Sequence, residues 1–224
     1  MDGAKIRLGR QEVHREDALY FDGARIDFGD GAWQALAYAG SPVKFYESSR
    51  SGDQLAGVGI RWWKARTLRL GLDQIYLRDE APPADETSVA RNHLTILSGR
   101  WLQSQNFTLD GSSSWISGRS RRANVRAFMQ RPELKLWTRV EIRRQNDYGE
   151  VVATELSPFA ATLGDVAPYW SASVQVGKGY EHDVDLGFGF HGRWLEAGGS
   201  EGLYNREYDQ WFGSLTVREA FGGD

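Results

Sequence analysis

Between His182 and Trp194 apolar and polar residues alternate along the chain. Val184, Leu186, Phe188 and Phe190 share one parity, while Asp183, Asp185, Gly187, Gly189, His191 and Arg193 share the other. A side-chain period of two sustained this long predicts a β-strand with one apolar face and one charged or bare face. Leu134 to Arg143 repeats the pattern, with Leu134, Leu136, Thr138, Val140 and Ile142 against Lys135, Trp137, Arg139, Glu141 and Arg143.

Similar stretches predict twelve strands, roughly at 4–14, 18–28, 33–42, 54–65, 68–79, 88–99, 104–117, 122–130, 134–145, 167–180, 183–196 and 207–220. The alternation is weakest over 88–117, where Ser112 to Ser114 blur it, and 150–157 could add a thirteenth strand. The predicted strands are longer than the usual globular strand of about 5–6 residues and reach the roughly 9–11 residues of a tilted strand crossing a bilayer.

The connections sort by length. Gly29-Asp30-Gly31, Lys64–Thr67, Arg131–Glu133 and Glu181–His182 are tight, whereas Tyr46–Asp53, Asp79–Thr87, Gln145–Ala167 and Glu196–Asn205 are long and polar. From the second strand onward short and long alternate, as in a membrane barrel with short turns at one rim and long loops at the other. The first connection, near Glu16-Asp17, is the weak member of the series. Twelve strands would put both termini at the short-turn rim. There is no internal repeat or linker, so residues 1–224 read as one domain.

Composition narrows the picture. The chain has 26 Gly, 6 Pro, 9 Trp and 9 Tyr, which suits long strands. It has no Cys, so a disulfide framework and Cys-based metal sites are excluded. A net charge of -3 does not suggest nucleic acid. No apolar run is long enough for a transmembrane helix. Residues 1–20 lack a signal-peptide core, so a mature or recombinant chain with Met1 as an added start is expected.

The expected fold is therefore an all-β, closed, antiparallel up-and-down transmembrane barrel of about twelve strands. In such a barrel the apolar parity faces lipid and the polar parity faces the lumen. Gly187 and Gly189 beside Asp183 and Asp185, and Gly57 and Gly59 beside Arg61, suggest a crowded lumen in which charged chains cross over glycines. Aromatics near strand ends suggest interfacial girdles: Trp33, Trp62, Trp101, Trp170, Tyr180, Trp194, Trp211 and Phe221, with Tyr46, Trp63, Tyr76, Tyr169 and Tyr208. The segment Trp211 to Phe221 alternates and ends on an aromatic, similar to the C-terminal assembly signal of outer-membrane barrels, although Gly222-Gly223-Asp224 follows.

Arg7-Leu8-Gly9-Arg10-Gln11-Glu12, followed by Tyr20-Phe21-Asp22-Gly23-Ala24-Arg25-Ile26, resembles the alginate-export type of outer-membrane porin, in which an LGRQ strand precedes an FDG-x-R strand. The resemblance covers about the first 30 residues. It implies a bacterial outer-membrane location, transport of acidic saccharide and the company of other export or secretion components. Members of that type are typically much longer, so a shorter relative, a fragment or a re-engineered barrel are all open.

Parity places Lys5, Arg7, Arg25, Arg61, Arg69, Arg91, Arg126, Lys135, Arg139, Arg143, Arg193 and Arg218 in the lumen. Asp27, Asp73, Glu141, Asp183, Asp185 and His191 join them. Twelve cations against five carboxylates bias a pore toward anions, and guanidinium pairs with carboxylate. Mutual Arg–carboxylate bracing is the competing use of the same residues. A narrow channel is expected at this strand number, pinched if 145–167 folds inward.

The expected function is a porin-like channel in contact with outer-membrane lipids, passing small or oligomeric anionic solutes. The rivals are an outer-membrane enzyme, a non-conducting structural or engineered barrel, and a soluble barrel that binds a lipophile. Catalysis has little to stand on. The candidates are His14, His93, His182 and His191; His14 beside Glu16 and Asp17 has no nucleophile partner, and His191 lies roughly 20 Å along the strand from Asp185 at about 3.4 Å per residue. No cofactor or metal is expected. The acidic Asp79-Glu80 and Asp85-Glu86 read as a solvated loop, with Ca²⁺ as the alternative.

Overall fold

The computed structural model describes residues 4–14, 18–43, 52–80, 89–146, 167–179, 184–196 and 206–217. Twelve strands follow one another in chain order: β1 Lys5–His14, β2 Ala18–Asp30, β3 Trp33–Pro42, β4 Gln54–Lys64, β5 Leu68–Glu80 and β6 Val89–Ser104, then β7 Phe107–Ile116, β8 Arg119–Arg131, β9 Leu136–Gln145, β10 Tyr169–Gly179, β11 Val184–Leu195 and β12 Tyr208–Val217. Each is antiparallel to its chain neighbours in a single up-and-down sheet. Among the described residues, β1 and β12 form its two edges.

Among the described residues the strand number agrees with the periodicity, but the middle of the chain corrects two boundaries. β6 continues through Arg100 to Ser104 instead of ending at 99. The β7–β8 connection is the two-residue turn Ser117-Gly118, not a loop, and breaks the expected alternation of lengths. Both residues have positive φ, +46° and +83°, the backbone of a type I′ turn that matches strand twist. At the opposite rim, Pro132–Leu134 forms one 3₁₀ turn that ends on Lys135 in the left-handed region. Lys135 is thus a turn residue, although the alternation placed it in a strand. The candidate strand at 150–157 lies outside the described residues.

The two β1–β2 segments behind the alginate-export resemblance lie side by side. Arg10 stands opposite Asp22 and donates from Nε and Nη2 to its two carboxylate oxygens, at 3.0 and 2.9 Å. Gly9, Gly23 and Gly40 follow in one row across β1–β3. A side chain at Gly23 would come within 2.6 Å of the Gly40 Cα, so Gly23 and Gly40 bring the β2 and β3 backbones together where bulk cannot fit.

Register rows divide the sheet into two faces. One row runs Trp33, Trp62, Leu70 and Gly99, and another runs Lys64 to Leu68 and Trp101. On the other face a row runs Trp63, Arg69, Arg100, Asp110, Arg126, Glu141, Ser173, His191 and Gln210. The first is the apolar face and the second the charged face.

Candidate functional site

The apolar face shows an inversion of ordinary solubility. Ile6, Leu8, Val58, Ile60, Leu72, Leu97, Val125, Ile142, Phe188 and Leu215 are all more than 40% exposed on it. Tyr208 is the one large strand hydrophobic exposed on the charged face among the described residues. An exposed apolar surface spanning twelve strands is far beyond the few hundred Å² usual for a water-soluble monomer.

Aromatics mark both borders of this surface. Trp33 stands directly opposite Trp62 near the short turns, with Phe28 edge-on to Trp33 and Trp101 edge-on to Phe107. Trp170 stands opposite Trp194 near the long loops. Trp211 lies further in, packed on Phe188 and Phe190. Three of the expected girdle residues belong instead to the charged face. Trp63 lies beneath Arg69, Tyr169 beneath Arg193 with the guanidinium 3.9 Å from the ring centre, and Tyr208 reaches His191. Tyr46, Tyr180 and Phe221 lie outside the described residues.

The charged face gathers Lys5, Arg7, Arg25, Asp27, Arg61, Arg69, Asp73, Arg126, Arg139, Glu141, Arg143, Asp185, His191 and Arg193 in its rows. Lys135 reaches this face from its turn, over Gly179 and beside Asp185. Asp183 and Arg218 lie outside the described residues. Many of these charges are paired. Arg25 donates from Nε to Asp27 at 3.0 Å, and Arg7 approaches the same carboxylate at 3.8 Å. Glu141 is held by three guanidiniums, Arg143 at 3.1 Å, Arg126 at 3.4 Å and Arg139 at 3.6 Å. Arg100, Asp110 and Arg122 share this face and were absent from the sequence reading. Arg100 fell beyond the predicted end of its strand, whereas Asp110 and Arg122 had the parity of Ser112 and Arg126 and could have been found by it.

Two expectations about this face are corrected. Position 91 is in register with Arg78, out of phase with Leu94 and Ile96, so Arg91 belongs to the rows of the opposite face. And the face is not polar throughout. Val13, Phe21, Leu36, Tyr38, Leu55, Ile75, Leu77, Leu94, Ile96 and Ile116 form one buried apolar cluster on it. The cluster occupies the long-loop half of β1–β7. In the same half the opposite face turns polar, with the Arg10–Asp22 pair, Gln74 donating to Thr95 at 2.9 Å, and Arg78. Along β5, Leu70 and Leu72 give way to Gln74 and Tyr76 on one face, while Arg69 and Asp73 give way to Ile75 and Leu77 on the other. Polarity thus swaps faces midway along the strands, and parity alone misplaces residues beyond the swap. The glycines are also covered differently from expectation: rings lie over them, Tyr38 on Gly57, Trp137 on Gly177 and Phe212 on Gly189.

The histidines make no catalytic constellation among the described residues. His191 Nε2 and Tyr208 Oη are 3.3 Å apart, and His93 packs against Tyr76. No cluster of three or more His, Cys, Asp or Glu is placed to hold a metal among the described residues.

No protein-family profile matches the chain, so the alginate-export resemblance stays with its short motifs. No curated protein matches it either. Among solved structures, the outer membrane channel DcaP of Acinetobacter baumannii superposes with a TM-score of 0.56 at 10% identity, over 89% of this chain and 62% of that one. The chain thus spans less than two thirds of that channel's length. A chain from work on the in-meso crystallization of membrane proteins, at TM-score 0.33 and 13% identity over 95% of this chain and 82% of that one, is too dissimilar to support an argument. The likeness to the channel is one of fold: an all-β, antiparallel, up-and-down sheet of outer-membrane-channel architecture.

Proposed function

We propose that this chain forms a barrel in a bacterial outer membrane and conducts small anionic solutes past its charged face. One observation carries the reading: the exposed large apolar residues lie almost entirely on one face of the sheet, bordered by paired tryptophans, with the arginines behind them. Backbone groups in a bilayer need partners within the protein, and closure of the sheet supplies them at the edges. β1 and β12 run antiparallel, so direct pairing between them would close the barrel. In that arrangement the apolar face meets lipid and the charged face lines the lumen, narrowed at the long-loop half by the apolar cluster.

Cation excess on the lumen favours anions, and acidic saccharides are the class suggested by the resemblance of β1–β2. Export components are the partners that this resemblance adds. The rival closest to the observations is a non-conducting barrel, favoured by the buried apolar cluster on the inner side.

The test is single-channel recording of the refolded protein in a planar bilayer, with reversal potential measured across a salt gradient. Discrete openings with anion preference are expected. Stable insertion without conductance would move the assignment to the structural barrel. A protein that folds as a monomer without detergent or lipid would overturn the membrane reading.

A further inference from the structure

Arg69 and Arg100 stand directly opposite each other across β5 and β6, on the charged face. Two like charges so placed repel unless something neutralises them. Among the described residues no carboxylate lies within ion-pair distance of either. Asp110 is the register partner of Arg100 on its other side, but it approaches Arg126 instead, at 3.8 Å. Arg126 is further engaged with Glu141. The Arg69 guanidinium lies over the Trp63 ring, 5.4 Å from its centre.

Both arginines line a cavity of about 410 Å³, with Arg61 and Arg126 and with Asp73 and Asp110 as its carboxylates. Four guanidiniums thus meet two carboxylates. Gly71 stands in register between Arg61 and Ser98, and an added Cβ there would come within 2.7 Å of Ser98 Oγ. Neutral donors complete the wall. The Asn124 side-chain oxygen accepts from the Ser112 N–H at 2.9 Å and from its hydroxyl at 2.8 Å, which leaves the Asn124 NH₂ as that group's donor end. Ser98 adds a hydroxyl.

We propose that Arg69 and Arg100 form an anion subsite that binds the carboxylate of a small hydroxy acid, with Ser98 and Asn124 reading the hydroxyls. Guanidinium forks match a planar carboxylate, and the shared negative charge relieves the repulsion across β5–β6. The subsite rests on the channel reading for its access but not for its chemistry.

The probe is sodium gluconate, added to one side of a bilayer in which the protein carries chloride current. Gluconate is expected to block the current. Arg69→Gln and Arg100→Gln are each expected to raise the half-blocking concentration about tenfold, the size of one charge-assisted hydrogen bond, with block read as a fraction of each variant's own chloride current. Gly71→Leu, which puts bulk between Arg61 and Ser98 and leaves every charge in place, is expected to do the same. Unchanged block in both Gln variants would overturn the subsite and leave the channel standing. Equally strong block by sulfate would overturn its assignment to carboxylates. If the wild-type protein passes no current, the channel reading falls. Calorimetric titration of the detergent-refolded protein with gluconate then decides the subsite: binding lost in Arg100→Gln supports it, and no binding to the wild type overturns it.

Discussion

Trp170 stands directly opposite Trp194 across β10 and β11, and the Arg144 guanidinium lies 5.0 Å from the Trp170 ring centre. Arg144 also pairs with Glu196 at 3.1 Å, so an aromatic pair is tied to an ion pair at the edge of the apolar face. Indole rings with charge beside them suit the headgroup level of a membrane. The run from Val184 to Trp194 on β11 covers about 33 Å at about 3.3 Å per residue. With a strand tilt near 40° it spans about 25 Å, the height of an outer-membrane apolar band. Single-tryptophan variants retaining Trp62 or Trp170 should therefore be quenched by lipids brominated near the carbonyl region. Quenching strongest at the bilayer centre would refute the border assignment.

Val58 is 56% exposed between Ala56 and Ile60 on the apolar face. Val58→Arg should cost about 2–4 kcal/mol in vesicles, the penalty of a cation near the bilayer midplane. Ser173→Arg, on the charged face between Glu141 and His191, should cost much less. Denaturant unfolding in lipid separates the two. Equal losses would mean that the faces do not differ in their surroundings.

Glu141 is the shared acceptor of Arg126, Arg139 and Arg143. Glu141→Gln should destabilise the sheet by about 1–3 kcal/mol, because three guanidiniums lose their common partner. It should also shift the reversal potential further toward anions. A shift toward cations would show that these arginines do not border the permeation path.

Gly118 has φ +83° in the β7–β8 turn. Gly118→Ala should lower stability by about 1 kcal/mol, since an L side chain is strained there. Ser117→Gly should leave stability unchanged or raise it, because φ at that position is +46°. Thermal unfolding in detergent checks both, and a stabilised Gly118→Ala would contradict the turn geometry.

Much of the fold was legible because a strand writes its two faces into alternate positions. β11 and β9 appear in the chain as plainly as in the sheet. The turn residues Gly29-Asp30-Gly31 and the cluster Arg131-Pro132-Glu133 marked strand ends by their chemistry. The middle of the chain was harder. Ser112, Ser113 and Ser114 carry no polarity contrast, and Arg100 lay past an apparent end at Gly99. Ser117-Gly118 reads as part of a polar run until its backbone is seen to reverse the chain in two residues.

By itself, the sequence determined the all-β class, the twelve strands of the described residues, their order and the pairing of most rim aromatics with strand ends, because all of these follow from local period and turn chemistry. It also determined that one parity would be apolar and the other charged over the short-turn half of the strands. Which parity is buried at the other end was decided only by tertiary structure. Parity is a relative label, and Leu77 and Leu72 look alike in the chain. Only the neighbouring strands show that Leu77 is buried with Leu55 and Ile75 while Leu72 is exposed. The same holds for the charges. That Arg69 meets Arg100, and that Glu141 gathers three arginines, depends on register between strands, which no single strand contains.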